Sequence, residues 1–294
     1  MVCPESELAT VIDELKKFDF EVTEFERCRL YNFEDRIAVL LVLPVLAEDG
    51  TVTEPGQMHL VFWKKGLSNF VNVPIKVTVP VKMSDCSVET HVVKLPCTEA
   101  GFQADKAIFF EDFEAVKGII FADTPQECKA LGNKIPKFDK NRWNKWSIDS
   151  MQSLVDRKMA TNPEVQELIG VLGGIAKTHR IEFPNDLKVY EASPLDDIWG
   201  TGRDVPTEVK GLIESLSGST APSSGKNQLG KCWESAIKMY MGGSDDDVEN
   251  KITPVKKARF EEPSPEPRLD EVISCTPGED ETVPDATKEA KEDN

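Results

Sequence analysis

The longest apolar run of the sequence, IAVLLVLPVLA, spans residues 37–47 and limits what the chain can fold into. It is too short to cross a lipid bilayer, and it contains Pro44, which cannot donate a hydrogen bond inside a sheet. We therefore interpret it as a buried strand with a proline near its end. Three strand-like segments follow: MHLVFW, VPIKVTVPV and VETHVVKL. Apolar residues alternate in VPIKVTVPV, which is typical of a strand with one buried side.

The pattern becomes helical from Thr98 onwards. TEAGFQADKAIFFEDF begins with Thr98, a residue type that caps helices, and FEAVKGIIFA continues in the same manner. TPQECKALG has Thr124 as a cap, Pro125 at the first helical position and Gly132 at the end.

The second half of the chain predicts more helices around one short strand. NRWNKWSIDSMQSLVDRKMATNPEVQELIGVLGG predicts two helices separated near Asn162 and Pro163, because proline interrupts a helix. LKVYEA predicts a strand, residues 203–224 an insertion with one short helix, and GKNQLGKCWESAIKMYM a final helix. An amphipathic helix is also expected from about Glu5 to Lys17.

The formal net charge of −17 is unevenly distributed. Residues 245–294 contain 16 acidic and 7 basic residues, which gives −9, so residues 1–244 carry −8. Few aromatic residues and high charge predict a disordered tail over residues 243–294. Overall acidity argues against a dedicated duplex-DNA binder, which usually has a basic face, but it leaves open a pocket for a nucleotide.

A short basic cluster interrupts this acidic tail at residues 254–260. Lys256, Lys257 and Arg259 follow a proline, an arrangement typical of a nuclear-import signal, and a chance basic patch is the alternative. The N-terminus has no secretory pattern. The 7 cysteines form no CxxC motif, which favours a reduced, intracellular compartment, and the 3 histidines lack metal-ligand spacing.

The segment TEAGFQADKA places several functional groups on one face of a helix. Glu99 and Lys106 are seven residues apart, so they differ by about 20° around the axis and roughly 10 Å along it. Phe102 and Gln103 lie between them. This face offers a carboxylate, an aromatic ring, an amide and an amine around a space the size of a sugar. An ordinary solvated helix face is the alternative interpretation.

A second candidate segment is EASPLDDIWGTG, residues 191–202. Asp196 or its neighbour Asp197 can polarise a hydroxyl group or a water, and Trp199 can stack on a flat base. Gly200 and Gly202 permit close approach of the backbone. The alternative is a turn whose tryptophan covers the core.

Two further segments carry polar groups at predicted ends of helices or strands. GKNQLGK opens a helix, so its free N–H groups and Lys226 can hold a phosphate, with an ordinary helix start as the alternative. In WKKGLSNF, Asn69 can hydrogen-bond the edge of a ligand, whereas a turn with a buried Phe70 is the other interpretation.

The order of these segments resembles the NADAR family, named for its association with NAD and ADP-ribose metabolism. LSNF, TEAGFQADKA, ADTPQECKALGNKI, DRKMATNPEV, YEASPLDDIWGTG and GKNQLGK follow one another over about residues 61–241. The most specific part is EASPxDxIWGxG followed by GKNxLG.

This resemblance implies cleavage of an N-glycosidic bond without a cofactor or metal. It implies catalytic roles for Glu99, Lys106 and Asp196. Other residues would bind substrate: Asn69, Phe70, Gln103, Trp199, Gly200, Gly202, Lys226 and Asn227. The family's substrate classes are an aminated ribosyl-pyrimidine of riboflavin synthesis and ADP-ribose attached to guanine.

One departure bears on the substrate. Many relatives carry arginine after ALG, where this chain has Asn133, and asparagine cannot supply the charge that binds a phosphate. Lys134 can substitute only in part. A non-catalytic module that binds ADP-ribose or a related nucleotide therefore stays open beside the N-glycosidase.

The expected fold is α+β and mainly α-helical, a single NADAR-like domain with a β-rich N-terminal portion and a disordered acidic tail. We expect residues 1–57 to pack on a domain of residues 58–242, followed by the tail of residues 243–294. The expected ligand is a ribonucleoside or ADP-ribose, including ADP-ribosylated nucleic acid. A nuclear-import receptor would bind residues 254–260, which favours the nucleus, the cytoplasm or both, with no membrane association.

Overall fold

The computed structural model describes residues 20–25, 27–33, 36–64, 66–82, 87–216 and 225–242. The expected N-terminal helix from Glu5 to Lys17, the acidic tail and the basic cluster at residues 254–260 lie outside the described residues. Over the described residues the fold is α+β and mainly helical, with a β-rich N-terminal portion, as the sequence predicts.

The strands come mostly before the helices. They are β1 (Phe20–Phe25), β2 (Cys28–Phe33), β3 (Ile37–Val42), β4 (Val45–Leu46), β5 (Val52–Glu54), β6 (Gln57–Phe62), β7 (Ile75–Lys82), β8 (Val88–Leu95) and β9 (Leu187–Glu191). Five of them form one sheet in the order β1-β2-β3-β6-β9. β1, β2, β3 and β6 are antiparallel neighbours, and β9 joins parallel to β6. β4 pairs with β5 and β7 with β8.

The apolar run at residues 37–47 forms β3, which ends before Pro44, so the strand prediction is confirmed. Strand alternation gives the central sheet two apolar faces. Leu41, Leu60 and Val189 point into the larger core, whereas Leu40 and Val61 point to the opposite face. Since β3 pairs directly with β6, and β1 and β2 extend the sheet beyond β3, residues 20–42 contribute strands to the same sheet as β6 and β9.

Eight helices follow in the described part of the chain. They are α1 (Thr98–Phe109), α2 (Phe113–Ile120), α3 (Pro125–Gly132), α4 (Lys140–Asn144), α5 (Ser147–Thr161), α6 (Pro163–Thr178), α7 (Val205–Leu216) and α8 (Gln228–Gly242). α1, α5 and α8 cover the larger core, and α7, the helix of the predicted insertion, covers the opposite face through Val205 and Val209.

The helix starts follow the predicted capping chemistry with one exception. Thr124 forms a capping box with Glu127, and Pro125 occupies the first turn of α3. Asn162 caps α6, so the predicted break before Pro163 is confirmed. The prediction that Thr98 caps α1 is wrong, because the Cys97 Sγ accepts the hydrogen bond from the Ala100 N–H at 3.4 Å.

Two helical segments are shorter than the sequence pattern suggests. The helix that begins at Thr98 does not continue into FEAVKGIIFA, because Glu111 adopts a φ of 58° and Asp112 caps a new helix. The segment from Asn141 to Gly174 contains an additional short helix, α4, ahead of the two predicted ones.

Candidate functional site

The first turn of α1 places a carboxylate inside the protein. Glu99 is 5% exposed, and its N–H donates to the Asn69 carbonyl at 3.0 Å. The Gln103 Nε2 donates to the Glu99 Oε1 at 2.8 Å, one helical turn further along. Burial raises the pKa of Glu99, while the Gln103 hydrogen bond and the charges of Lys129 and Lys106 oppose that rise.

The amide of Gln103 is held by a close contact with α3. A Cβ built on Gly132 would lie 2.7 Å from the Gln103 Cδ, so only glycine leaves room for this side chain. The Gln103 Oε1 is buried and has no hydrogen-bond partner among the described residues. Gly132, predicted only as the end of a helix, therefore also orients the amide that contacts Glu99.

Two lysines lie beside this carboxylate. Lys106, on the next turns of α1, is 7% exposed, and its Nζ lies 4.6 Å from the centre of the Phe138 ring. Burial lowers the pKa of Lys106, Glu99 raises it and Lys129 lowers it further. Lys129 is exposed on α3, with its Nζ 5.2 Å from the centre of the Phe70 ring. Both lysines therefore interact electrostatically with Glu99 and lower its pKa.

The segment EASPLDDIWGTG forms a tight loop after β9. The Asp196 Oδ1 accepts hydrogen bonds from the N–H groups of Ile198 at 3.0 Å and Trp199 at 2.8 Å. The Asp196 charge still reaches Glu99, whose pKa it raises. Trp199 is half-buried and meets the edge of Phe102 with ring centres 5.3 Å apart. This loop therefore brings an acid and an aromatic wall to the helix face of Glu99.

Gly200 and Gly202 are required in this loop for different structural reasons. A Cβ at Gly200 would lie 2.8 Å from the Glu191 carbonyl, so the loop closes on the end of β9 only with glycine there. Gly202 has a φ of +74°, a conformation that favours glycine. The exposed Asp197 holds the next segment, since its carbonyl accepts from the Lys226 N–H at 2.7 Å.

Asn227 uses its amide for the strand. Its Oδ1 accepts from the Glu191 N–H at 3.0 Å, and its Nδ2 donates to the Val189 carbonyl at 2.7 Å. It has a φ of 50° at the start of α8. Lys226 beside it is exposed. The structure thus gives Asn227 a position where it fixes β9, and its predicted contact with substrate stays a prediction.

The segment GLSNF, residues 66–70, is held from behind by buried donors. The Lys158 Nζ donates to the Ser68 carbonyl at 2.8 Å, and the Trp233 Nε1 donates to the Leu67 carbonyl at 3.0 Å. The Asn69 Nδ2 contacts the Met151 Sδ at 3.3 Å, while its Oδ1 is buried without a partner among the described residues. Asn69 therefore contacts the Glu99 helix through its backbone carbonyl, and the Phe70 ring lies beside Lys129 of α3.

The sequence interpretation missed Glu191, the last residue of β9. It is 8% exposed, and burial together with the charges of Asp196 and Glu99 raises its pKa to about 8. Lys129 opposes that rise. The alternation of LKVYE was the available signal, because it puts Glu191 on the same side as the buried Leu187 and Val189.

The residue that departs from the family pattern lies at the edge of this arrangement. Asn133 is the exposed residue that ends α3, and Lys134 beside it is exposed as well. Lys129 is one helical turn before Asn133. Among the described cations, Lys129 is the one whose charge lowers the pKa of both Glu99 and Glu191.

Together these groups can supply acid–base and charge-stabilising chemistry. Three carboxylates and two ammonium groups interact electrostatically, with Trp199 and Phe102 as aromatic surfaces. Among the described residues, no three histidine, cysteine, aspartate or glutamate side chains are grouped to hold a metal ion. None of the helices in the described ranges is long and apolar enough to span a bilayer.

Comparison with known proteins gives a family match. The model of the NADAR domain matches residues 61–237, more than half of the chain. The chain is 27% identical to Protein irg-1 of Caenorhabditis elegans over 124 residues, which are 42% of this chain and 53% of that protein. It thus spans about half the length of this relative.

Two other proteins are similar to the chain. N-glycosidase R617 of Acanthamoeba polyphaga mimivirus is 27% identical over 133 residues, 45% of this chain and 67% of that protein. The NMR structure of the E. coli protein YbiA aligns with a TM-score of 0.41 at 18% identity, covering 68% of this chain and 90% of that one.

Proposed function

The chain belongs to the NADAR domain family, and from this premise we propose that it is an N-glycosidase that hydrolyses the bond between a base and a ribose. The observation that carries the proposal is the buried Glu99 carboxylate, placed among Lys106, Lys129 and Asp196. The similarity to a protein named N-glycosidase R617 supports the same reaction.

The chemistry of the reaction suits these groups. Cleavage of a base–ribose bond develops positive charge at the anomeric carbon, which a preorganised carboxylate stabilises. Glu99 is the group for that role, and Asp196 would orient the ribose or the attacking water. Trp199 would form one wall of the base or ribose pocket, and the buried amides of Asn69 and Gln103 would contact the ligand.

Lys106 has two roles open to it. As a cation it stabilises negative charge on the substrate. As a neutral amine, which its lowered pKa favours, it attacks the aldehyde of the opened sugar and forms an imine with release of water. Reduction with borohydride followed by peptide mass spectrometry separates the two, because only the imine becomes a stable adduct on Lys106.

The substrate we propose is ADP-ribose attached to guanine, in a nucleoside or in nucleic acid. The cationic Lys129 beside Phe70 supports an anionic ligand with a flat base. The basic cluster at residues 254–260 would bind an import receptor and bring the protein to such a substrate in the nucleus. An aminated ribosyl-pyrimidine of riboflavin synthesis is the alternative substrate, and it requires no nuclear location.

The proposal is tested by chromatography of the released base. The protein is incubated separately with ADP-ribosyl-guanosine, NAD and the aminated ribosyl-pyrimidine. We expect guanine release from the first, abolished by Glu99→Gln and by Lys106→Ala. Glu114→Gln and Lys117→Ala are matched controls, because these exposed residues occupy the first and last turns of α2 as Glu99 and Lys106 do in α1.

The opposing outcomes are distinct. Full activity of both Glu99→Gln and Lys106→Ala would overturn the residue assignment. A rise in melting temperature with ADP-ribose but no product from any of the three substrates would instead identify a binding module, the interpretation that Asn133 favours. Release from the ribosyl-pyrimidine alone would assign the riboflavin-type substrate.

A further inference from the structure

Glu191 is the second buried carboxyl group of the site, beside Glu99. We propose that Glu191 is the general acid that protonates the leaving base, opposite in function to the Glu99 carboxylate. This inference rests on the proposed N-glycosidase activity and adds a catalytic residue to it.

The strand fixes the direction of the Glu191 side chain. Glu191 pairs with Phe62 of the neighbouring parallel strand β6. Leu187 and Val189, four and two residues before it, are buried in the larger core under α1 and α8. Alternation along the strand therefore sends the Glu191 carboxyl to that same side, where Glu99 lies.

The backbone of Glu191 is anchored on both sides. Its N–H donates to the Asn227 Oδ1 at 3.0 Å, and its carbonyl accepts from the Thr201 N–H at 2.8 Å. Gly200 packs against the same carbonyl without room for a side chain. The backbone that carries the Glu191 side chain is thus fixed at the start of the Trp199 loop, which suits a general acid that must meet one atom of the substrate.

The surroundings of the two glutamates differ in a way that favours a charged Glu99 and a protonated Glu191. Glu99 accepts a hydrogen bond from Gln103 and faces both Lys106 and Lys129, all of which favour its charged form. Glu191 makes no side-chain hydrogen bond within the described ranges, faces the like charges of Asp196 and Glu99, and has Lys129 as the opposing cation. The contacts thus leave Glu99 as the carboxylate of the pair and Glu191 as the group that carries the proton.

The step balances in protons and electrons. As the bond between C1′ and the base nitrogen breaks, its electron pair stays on the nitrogen, which takes the proton from the Glu191 carboxyl. The cation left at C1′ is stabilised by the Glu99 carboxylate. Water then adds to C1′ and gives a proton to Glu99, and exchange with solvent returns both acids to their starting states.

The first test needs no activity. Carbon-13 NMR of glutamate-labelled protein should show one carboxyl resonance that titrates near pH 8. It should disappear in Glu191→Gln and persist in Glu89→Gln, which changes an exposed strand glutamate. Absence of a glutamate resonance titrating above pH 7, or its persistence in Glu191→Gln, would overturn the proposal.

The second test uses base release from ADP-ribosyl-guanosine as a function of pH. Loss of a general acid costs about 10²- to 10⁴-fold in rate, so we expect a fall of that size in kcat/KM for Glu191→Gln. The fall in kcat/KM at basic pH should also be absent from the pH profile of Glu191→Gln. Glu191→Asp should keep that fall in its pH profile, at a lower overall rate. If Glu191→Gln has the wild-type rate and the same fall at basic pH, the acid role of Glu191 is wrong and the proposed N-glycosidase activity stands. A wild-type protein without product from any substrate would contradict the proposed function itself.

Discussion

The buried side chain of Lys158 should make the free energy of unfolding rise with pH above neutrality. This side chain of α5 is fully buried, and burial lowers its pKa from 10.5 to about 7. Its Nζ donates to the Ser68 carbonyl at 2.8 Å, which holds the loop that presents Asn69 to Glu99. Replacing Lys158 with methionine removes the titrating group while keeping an unbranched side chain.

The sign of the effect follows from proton counts. Since the folded pKa is depressed, the folded protein binds fewer protons than the unfolded chain between about pH 7 and 10.5, so stability rises with pH over that window. Each pH unit of pKa difference is worth about 1.4 kcal/mol, which puts the full effect at about 5 kcal/mol. The part expected between pH 7 and pH 9 is about 2 kcal/mol.

The assay is urea unfolding followed by tryptophan fluorescence at pH 7 and pH 9. Wild-type protein should gain about 2 kcal/mol more than Lys158→Met between the two values, because other titrating groups contribute equally to both proteins. Lys238→Met, a change at an exposed lysine of α8, should behave as wild type. The same gain in Lys158→Met and wild type would refute the reasoning that Lys158 is buried and titrates near neutrality.

Three further predictions concern the supports of the site. Gly132→Ala should displace the Gln103 amide from Glu99, which should slow base release and lower the free energy of unfolding by about 1–3 kcal/mol. Gly170→Ala is the control, because open space surrounds Gly170, and it should raise the free energy of unfolding by about 0.5–1 kcal/mol. Urea unfolding and the base-release assay measure these effects. Asn227→Ala should cost about 2–4 kcal/mol, since it leaves two buried β9 backbone groups unpaired; an unfolding free energy equal to wild type would show that these hydrogen bonds are absent. The Glu191 pKa is raised from 4.5 to about 8, so its contribution to stability is complete below pH 4.5 and disappears as the pH rises through 8. Between pH 5 and pH 7 the free energy of unfolding of wild type should fall by about 2 kcal/mol relative to that of Glu191→Gln. Parallel pH profiles of the two proteins would contradict this.

Local sequence chemistry predicts most element types and several of their ends. Pro44 ends β3, the Thr124 capping box starts α3, and Asn162 with Pro163 separates α5 from α6. In each case the cause acts within a few residues of the effect. The cap of α1 shows the limit, because Thr98 and Cys97 both offer a side-chain acceptor and the backbone conformation of Cys97 decides between them.

The composition of the site depends on contacts that the sequence pattern does not encode. Glu99 and Lys106 share a helix face, and their interaction follows from spacing alone. Glu191 reaches Glu99 only because β9 pairs in parallel with β6, a contact between distant parts of the chain. Lys129 reaches both acids because α3 packs on α1 at Gly132. Spacing within one segment predicts neither approach.

The central claim is that the buried Glu99 site breaks a base–ribose bond. The most direct measurement is the rate of guanine release from ADP-ribosyl-guanosine by folded wild-type protein, Glu99→Gln and Glu114→Gln at equal concentration. We predict release by wild type and Glu114→Gln and a loss of at least about 10²-fold in Glu99→Gln. Equal rates in all three proteins, or no release by wild type, would contradict the claim.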